Sequence, residues 1–321
     1  ADGREERWQA RVVVNATGIQ ADAIRYLADP SLPERMLTSR GTHLVLKANL
    51  CPQGIGLLLP ATDDGRVLFM LPFYGRTLVG TTDTACPLAT AASPSAEEES
   101  YLIDYVRRWF PQLEDQSISS SWAGGRPLLK PAGAELSSSR VVREHEVETL
   151  PCGLVSVMGG KWTTCRPMAL DTLEAVATQL GKPLPAPQPL PLLGAAANPS
   201  QTPTLLMQHR PALEALLPDT PLRTAQRDHL ESNFGLRAAE VVSQWSTADR
   251  HPLSDVIPVC RGELAHAIHA EHARSVTAVL ARRSRLAMVD VKAAEELVPV
   301  VNALLEQHPE SCGGQQLNLA H

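Results

Sequence analysis

The chain has 321 residues, 44% of them hydrophobic and 20% charged. That is enough for about two domains with a sizeable core and lies outside the range of disordered chains. A formal net charge of −6 argues against a nucleic-acid binder, which normally shows a basic face. No apolar run approaches the roughly 18–20 residues that cross a bilayer, and no signal peptide is recognisable. The expected location is therefore cytoplasmic, with a peripheral membrane contact compatible. Six scattered cysteines form no Cys-x-x-Cys pair, which points to reduced thiols rather than a disulfide framework or a zinc site.

In chain order, Trp8 to Asn15 reads as a buried strand and Ala21 to Leu27 as a helix. Thr42 to Lys47, Gly56 to Pro60, Arg66 to Pro72 and Arg76 to Thr82 are short strands, with Asp63-Asp64-Gly65 as a hairpin turn. Ser95 with Glu98 forms a capping box that opens a helix to about Trp109, and Pro111 follows it. Strands come next at Ile118 to Ala123, Arg140 to Thr149 and Gly153 to Met158. A helix then runs from Lys161 to Leu180 and stops at Gly181. Residues 182–203 carry seven prolines and no acidic residue, so they read as an extended connector. Helical periodicity dominates from there to about Leu305. The expected domains are a mixed α/β region over 1–181, a connector over 182–203 and an all-helical region over 204–321.

Chemistry concentrates where the last strand meets the 161–180 helix, at Gly159-Gly160-Lys161-Trp162-Thr163-Thr164. Paired glycines admit close backbone approach, and a helix N-terminus presents unpaired N–H groups and a positive dipole end. A phosphate or the electron-rich edge of a flavin suits such a corner, and plain turn chemistry is the bland alternative. His43, entering a strand, is a candidate base or an ordinary strand histidine. Arg126, between two glycines and a proline, is placed to grip a phosphate or carboxylate, or to form a structural ion pair. Arg143 carries the same ambiguity. Gly80-Thr81-Thr82-Asp83 reads as a strand end with hydrogen-bonding capacity. His266, His269 and His272 fall at i, i+3, i+6 on a predicted helix, a series too splayed to hold one metal ion, so no metal site is expected. Arg282, Arg283 and Arg285 read as a solvated helix end, with contact to an anionic membrane surface or a phosphate as the alternative. No dinucleotide fingerprint, nucleophile elbow or P-loop occurs.

Five strings in order, Val14-Asn15-Ala16-Thr17-Gly18, Gly41-Thr42-His43-Leu44-Val45, Leu78-Val79-Gly80-Thr81-Thr82-Asp83, Gly125-Arg126-Pro127-Leu128 and Gly159-Gly160-Lys161-Trp162-Thr163-Thr164, resemble the FAD-dependent, respiratory glycerol-3-phosphate dehydrogenases. The segment Glu263 to Met288 is similar to that family's C-terminal helical domain. The resemblance implies an α/β, glycine-oxidase-like flavoprotein fold, with a partial FAD domain, a mixed β-sheet substrate domain and an all-α C-terminal domain. It also implies oxidation of sn-glycerol 3-phosphate to dihydroxyacetone phosphate, with electrons passed through FAD to quinone. Ala16, Thr17 and Gly18 would then line FAD, and Gly160, Lys161, Trp162 and Thr163 would meet its pyrimidine edge. Arg126 and Arg143 would hold the substrate phosphate, His43 would take the hydroxyl proton, and Lys161 would sit between substrate and ring.

Against the family pattern, the glycine-rich first strand-turn-helix, the acidic ribose ligand and an early Arg-containing loop are not found here. Cys165 stands where the family has an aromatic residue. The resemblance thus implies an incomplete FAD site and an activity belonging to a longer parent. Two other readings are a relative of the glycine-oxidase-like amino-acid oxidases and a non-catalytic module.

Overall fold

The computed structural model describes residues 5–60, 62–63, 65–113, 117–130, 144–188, 190–308 and 316–319. The chain forms two compact units. The first comprises residues 1–42, 81–94 and 123–187, and the second 43–80, 95–122 and 188–321.

In the first unit, β1 (Val13–Asn15) runs parallel to β9 (Leu154–Gly159), which pairs antiparallel with β8 (His145–Thr149). The register sets Val14 opposite Val155 and Val147 opposite Val157. The strand expected over 8–15 shrinks to three residues, and Val13 and Val14 are exposed rather than buried. Among the described residues β1 has a strand on one side only, so its apolar side chains lack a second neighbour to cover them. Asn15 fixes the turn after β1. Its amide donates to the Ala21 carbonyl (2.9 Å) and Ser156 Oγ (3.1 Å), while its carbonyl accepts from the Thr17 hydroxyl (2.7 Å). Gly18, at φ +60°, completes a bend that side chains resist, and α1 (Ala21–Ala28) follows.

One polar group anchors this unit internally. Arg25 on α1 is fully buried, bonded to Asp22 (2.6 Å), Glu148 (2.7 Å) and the Pro33 carbonyl (3.0 Å). Burial works against its charge, but the bonds to Glu148 and Asp22 outweigh it and hold the guanidinium above its ordinary pKa. Asp22 Oδ2 also accepts from the backbone N–H groups of Arg35 and Met36, fixing the entry to β2 (Met36–Leu46).

In the second unit, β3 (Leu57–Leu59), β4 (Leu68–Phe73), β5 (Arg76–Gly80) and the latter half of β2 form an antiparallel sheet. These β-rich segments place Leu44, Leu46, Leu68, Met70 and Val79 in the core, beneath Leu102 and Val106 of α2 (Ala96–Trp109). Ser95 caps α2: its hydroxyl accepts from the Glu98 N–H while the Glu98 carboxylate accepts from the Ser95 N–H. β7 (Ile118–Leu129) is twice the length expected from sequence and contributes residues to both units. Arg140 and Arg143 lie outside the described residues.

From Thr202 onward the structure is helical, as the periodicity predicted. The elements are α4 (Thr202–Glu214), α5 (Arg223–Phe234), α6 (Ala238–Ser243), α7 (Arg261–His269), α8 (Leu286–Val289) and α9 (Val291–Glu306). Leu264, Ile268, Val276, Leu280, Val301 and Leu305 are among the fully buried members of its core. The histidine series does not continue as a helix. The chain leaves α7 at Ala270 and His272 has φ +55°; His266 lies edge-on to Phe234, centroids 5.3 Å apart. Among the described residues no cluster of metal-ligating side chains occurs. The basic cluster is a largely solvated helix end, with Arg282 and Arg285 exposed and Arg283 half-buried. A π-helical turn, Ala278–Arg283, turns Arg283 to Glu271 (3.4 Å), and Arg285 donates to the Tyr74 hydroxyl (2.9 Å).

Candidate functional site

The end of β9 builds a cavity of the first unit. Gly159 and Gly160 adopt φ +75° and +83°, a conformation that ejects Lys161 from the strand and starts a 3-10 turn, Trp162–Thr164, leading into α3 (Cys165–Leu180). A Cβ on Gly160 would lie 2.5 Å from the Met168 sulfur, and one on Gly159 would lie 2.6 Å from the Glu144 carbonyl. Both glycines are therefore steric requirements of the corner. The Lys161 N–H donates to the Thr164 hydroxyl (3.2 Å), pinning the turn. Gly181, left-handed at φ +61°, ends α3 where the sequence placed its stop.

This corner opens onto a trough of about 700 Å³, within the size range of ligand sites. Ala16, Gly18, Gly160, Lys161 and Trp162 line it together, with apolar side chains such as Leu173 along α3. Trp162 is 89% exposed and Leu173 47%. Five of the seven residues expected at a flavin thus share one cavity. The other two stand aside: Thr17 is bonded to Asn15, and Thr163 occupies the turn between Trp162 and Thr164. An apolar trough with an ammonium and a helix N-terminus at one end suits a flat aromatic ring carrying an electron-rich edge.

Arg126 belongs to the same unit, and its neighbour Pro127 lines the trough. The Arg126 guanidinium lies over Gly41, where a Cβ would come within 2.3 Å of Nη2. It donates to the Thr81 hydroxyl (3.1 Å) and the Thr82 carbonyl (3.0 Å), and lies 3.5 Å from Asp83, which also accepts from Ser39. Thr82 is fixed in turn, since its hydroxyl accepts from the Thr42 N–H (2.9 Å). Both sequence readings of Arg126 therefore meet one fact: a half-buried ion pair exists, and it orients the guanidinium. Its partner Asp83 and the need for Gly41 went unrecognised in the sequence, although both lie in strings singled out there.

His43 is in the second unit. Its imidazole lies across Gly80, its partner in the β2–β5 register, where a Cβ would sit 2.4 Å from the ring. On the other side the Trp122 indole stacks on it, centroids 4.5 Å apart and planes inclined by 18°. Trp122 was not singled out from sequence; an aromatic residue in a strand reads as core. Arg143 is outside the described residues.

A family model for FAD dependent oxidoreductases matches residues 1–167, just over half of the chain. The chain belongs to the FAD dependent oxidoreductase family. FAD is this family's cofactor, and the cavity at Lys161 fits its ring. A second model, the C-terminal domain of alpha-glycerophosphate oxidase, matches residues 187–310, which accounts for the helical region. The mitochondrial glycerol-3-phosphate dehydrogenase of Arabidopsis thaliana is 34% identical over 319 residues, covering 95% of this chain and 50% of the relative. The human mitochondrial enzyme is also 34% identical, covering 94% of this chain and 42% of its own length. The chain therefore spans about half the length of the curated relatives it matches. Among solved structures, a glycerol-3-phosphate dehydrogenase from Bacillus halodurans complexed with FAD matches with a TM-score of 0.76 and 25% identity, covering 93% of this chain and 58% of that one. The family member described here has the α/β flavoprotein fold with a helical C-terminal region that the resemblance implied. No helix among its described residues is long and apolar enough to cross a membrane.

Proposed function

We propose that this family member serves the FAD-linked oxidation of sn-glycerol 3-phosphate to dihydroxyacetone phosphate. The observation that carries the reading is the gathering of Ala16, Gly18, Gly160, Lys161 and Trp162 around one apolar trough. The names of its relatives supply the substrate. Turning a secondary alcohol into a ketone removes a hydride from carbon and a proton from the hydroxyl; FAD, when bound, supplies the hydride acceptor.

The chain's own side chains supply the rest. Lys161 places a positive charge, reinforced by the N-terminus of α3, where negative charge grows. An imidazole nitrogen of His43 takes the hydroxyl proton. Arg126, oriented by Asp83, Thr81 and Thr82, meets the phosphate, with Arg143 as its second guanidinium. Quinone as the electron acceptor, a cytoplasmic setting with peripheral contact at the inner membrane, and the limits 1–181, 182–203 and 204–321 as folding units belong to the same proposal. Fractionation and limited proteolysis test the last two.

The deciding experiment is anaerobic addition of sn-glycerol 3-phosphate to the flavin-loaded protein. Bleaching of the flavin absorbance by this compound and not by glycine supports the reading. Bleaching by an amino acid alone would move the protein to the amino-acid oxidases, and none with either would leave a non-catalytic module.

A further inference from the structure

The His43 ring lies between Gly80 and Trp122, and of these two Trp122 has the side chain that can be altered. On one face, Gly80 leaves room that any Cβ would fill, 2.4 Å from the ring. On the other, the Trp122 indole lies nearly parallel at 4.5 Å. The indole is itself fastened, because Trp122 Nε1 donates to the Met288 carbonyl (3.1 Å) at α8 of the helical region. Two further bonds run from β7 to the same turn: Ser119 Oγ donates to the Val289 carbonyl (2.7 Å) and Ser120 Oγ to that of Ala287 (2.8 Å). Three successive carbonyls of α8 thus accept from β7, and Ala287 and Val289 are buried. The helix cannot shift without moving the strand that carries Trp122.

We infer that Trp122 is a positioning residue for His43, clamping its imidazole against Gly80, and that the α8 backbone of the C-terminal region sets the clamp through the Met288 carbonyl. The inference deepens the proposed function, resting on His43 as the proton acceptor. A flat ring trapped between an indole and a glycine keeps one orientation of its nitrogens, and proton transfer depends steeply on that orientation. An open strand histidine would instead sample several rotamers. Removing the stack while leaving β7 in place should therefore slow the chemistry and spare substrate binding.

The test uses two substitutions and two readouts. W122F keeps a ring to stack on but loses the N–H bond to Met288; W122L removes both. The first readout needs no flavin: the ring protons of His43, assigned by their loss in H43Q, are displaced upfield by an overlying indole. We expect that displacement in the unaltered protein, part of it in W122F and none in W122L. The second is steady-state oxidation of sn-glycerol 3-phosphate by the flavin-loaded protein with a dye acceptor. W122L should lose roughly 10–100-fold in kcat with KM and flavin content held, and W122F, which keeps the stack but not the fastening to Met288, should recover only part of the loss. A His43 resonance that stays put in W122L, or a W122L protein with unaltered kcat, would overturn the inference. Failure of the unaltered protein to be reduced by sn-glycerol 3-phosphate is a separate result. It removes the proposed reaction and leaves the resonance experiment to decide whether Trp122 orients His43.

Discussion

The trough at Lys161 and the helical core around Ile268 bury their apolar residues to opposite degrees. Around Ile268, the side chains of α7, the π-helical turn and α9 enclose one another, and many have no solvent exposure. Along the trough, Val14, Trp162 and Leu173 remain open to solvent although they are large and apolar. A chain that buries its apolar residues well in one place has the means to do so elsewhere, so an apolar surface left open beside a cationic corner is a candidate surface for binding. Where side chains are closed in they hold the structure up; where they are open they are available to a ligand.

Substitutions can break this comparison. The largest effect is expected at Arg25, which shows that the first unit also has a closed part. Arg25→Met leaves the Asp22 and Glu148 carboxylates without their shared buried cation, and should cost about 3–5 kcal/mol in urea denaturation. Ile268→Ala, in the helical core, should cost about 2–5 kcal/mol. Its counterpart in the trough, Leu173→Ala, should change stability by about 0.5 kcal/mol or less while weakening flavin binding. Equal stability losses at Ile268 and Leu173 would erase the distinction.

Arg126→Ala sharpens the functional side. Loss of a charge-assisted contact to phosphate should raise KM by about 10–100-fold with flavin content unchanged; lost flavin at unchanged KM would assign Arg126 to the cofactor instead. Gly41→Ala, whose methyl group displaces the guanidinium, should have the same effect in weaker form. The smallest effect is chemical. Burial first, and then the Glu263 carboxylate, push the Cys260 thiol up to about 12, and burial also raises that of Cys51. At pH 8 the native protein should alkylate at the exposed Cys152 and Cys165 well before Cys51 and Cys260, as peptide mapping would show.

Much of this was legible in the residues. Short β-rich segments between turns gave β3, β4 and β5, and the Ser95–Glu98 pair gave the start of α2. Gly181 gave the end of α3, because a left-handed stop is local chemistry. The Gly-Gly-Lys corner was visible for the same reason. Less visible were features decided by contacts between distant residues. Val13 and Val14 look like core until the strand beside them is counted. His272 continues a helical period that the backbone abandons. Trp122 is 79 positions from His43, and Asp83 is 43 from Arg126. Neither partnership leaves a local pattern, though in hindsight the glycines at 41 and 80 mark where each side chain needs room.

Titration of the protein with FAD, followed by quenching of flavin fluorescence, decides whether the Lys161 corner receives the flavin ring. Saturable quenching is expected, weak because the implied FAD site is incomplete; it should fall about tenfold in Lys161→Met, from loss of one charge at the ring edge, and disappear in Gly160→Val, whose side chain is strained at φ +83° and crowds Met168. Quenching that is absent in the unaltered protein, or identical in all three, would contradict it.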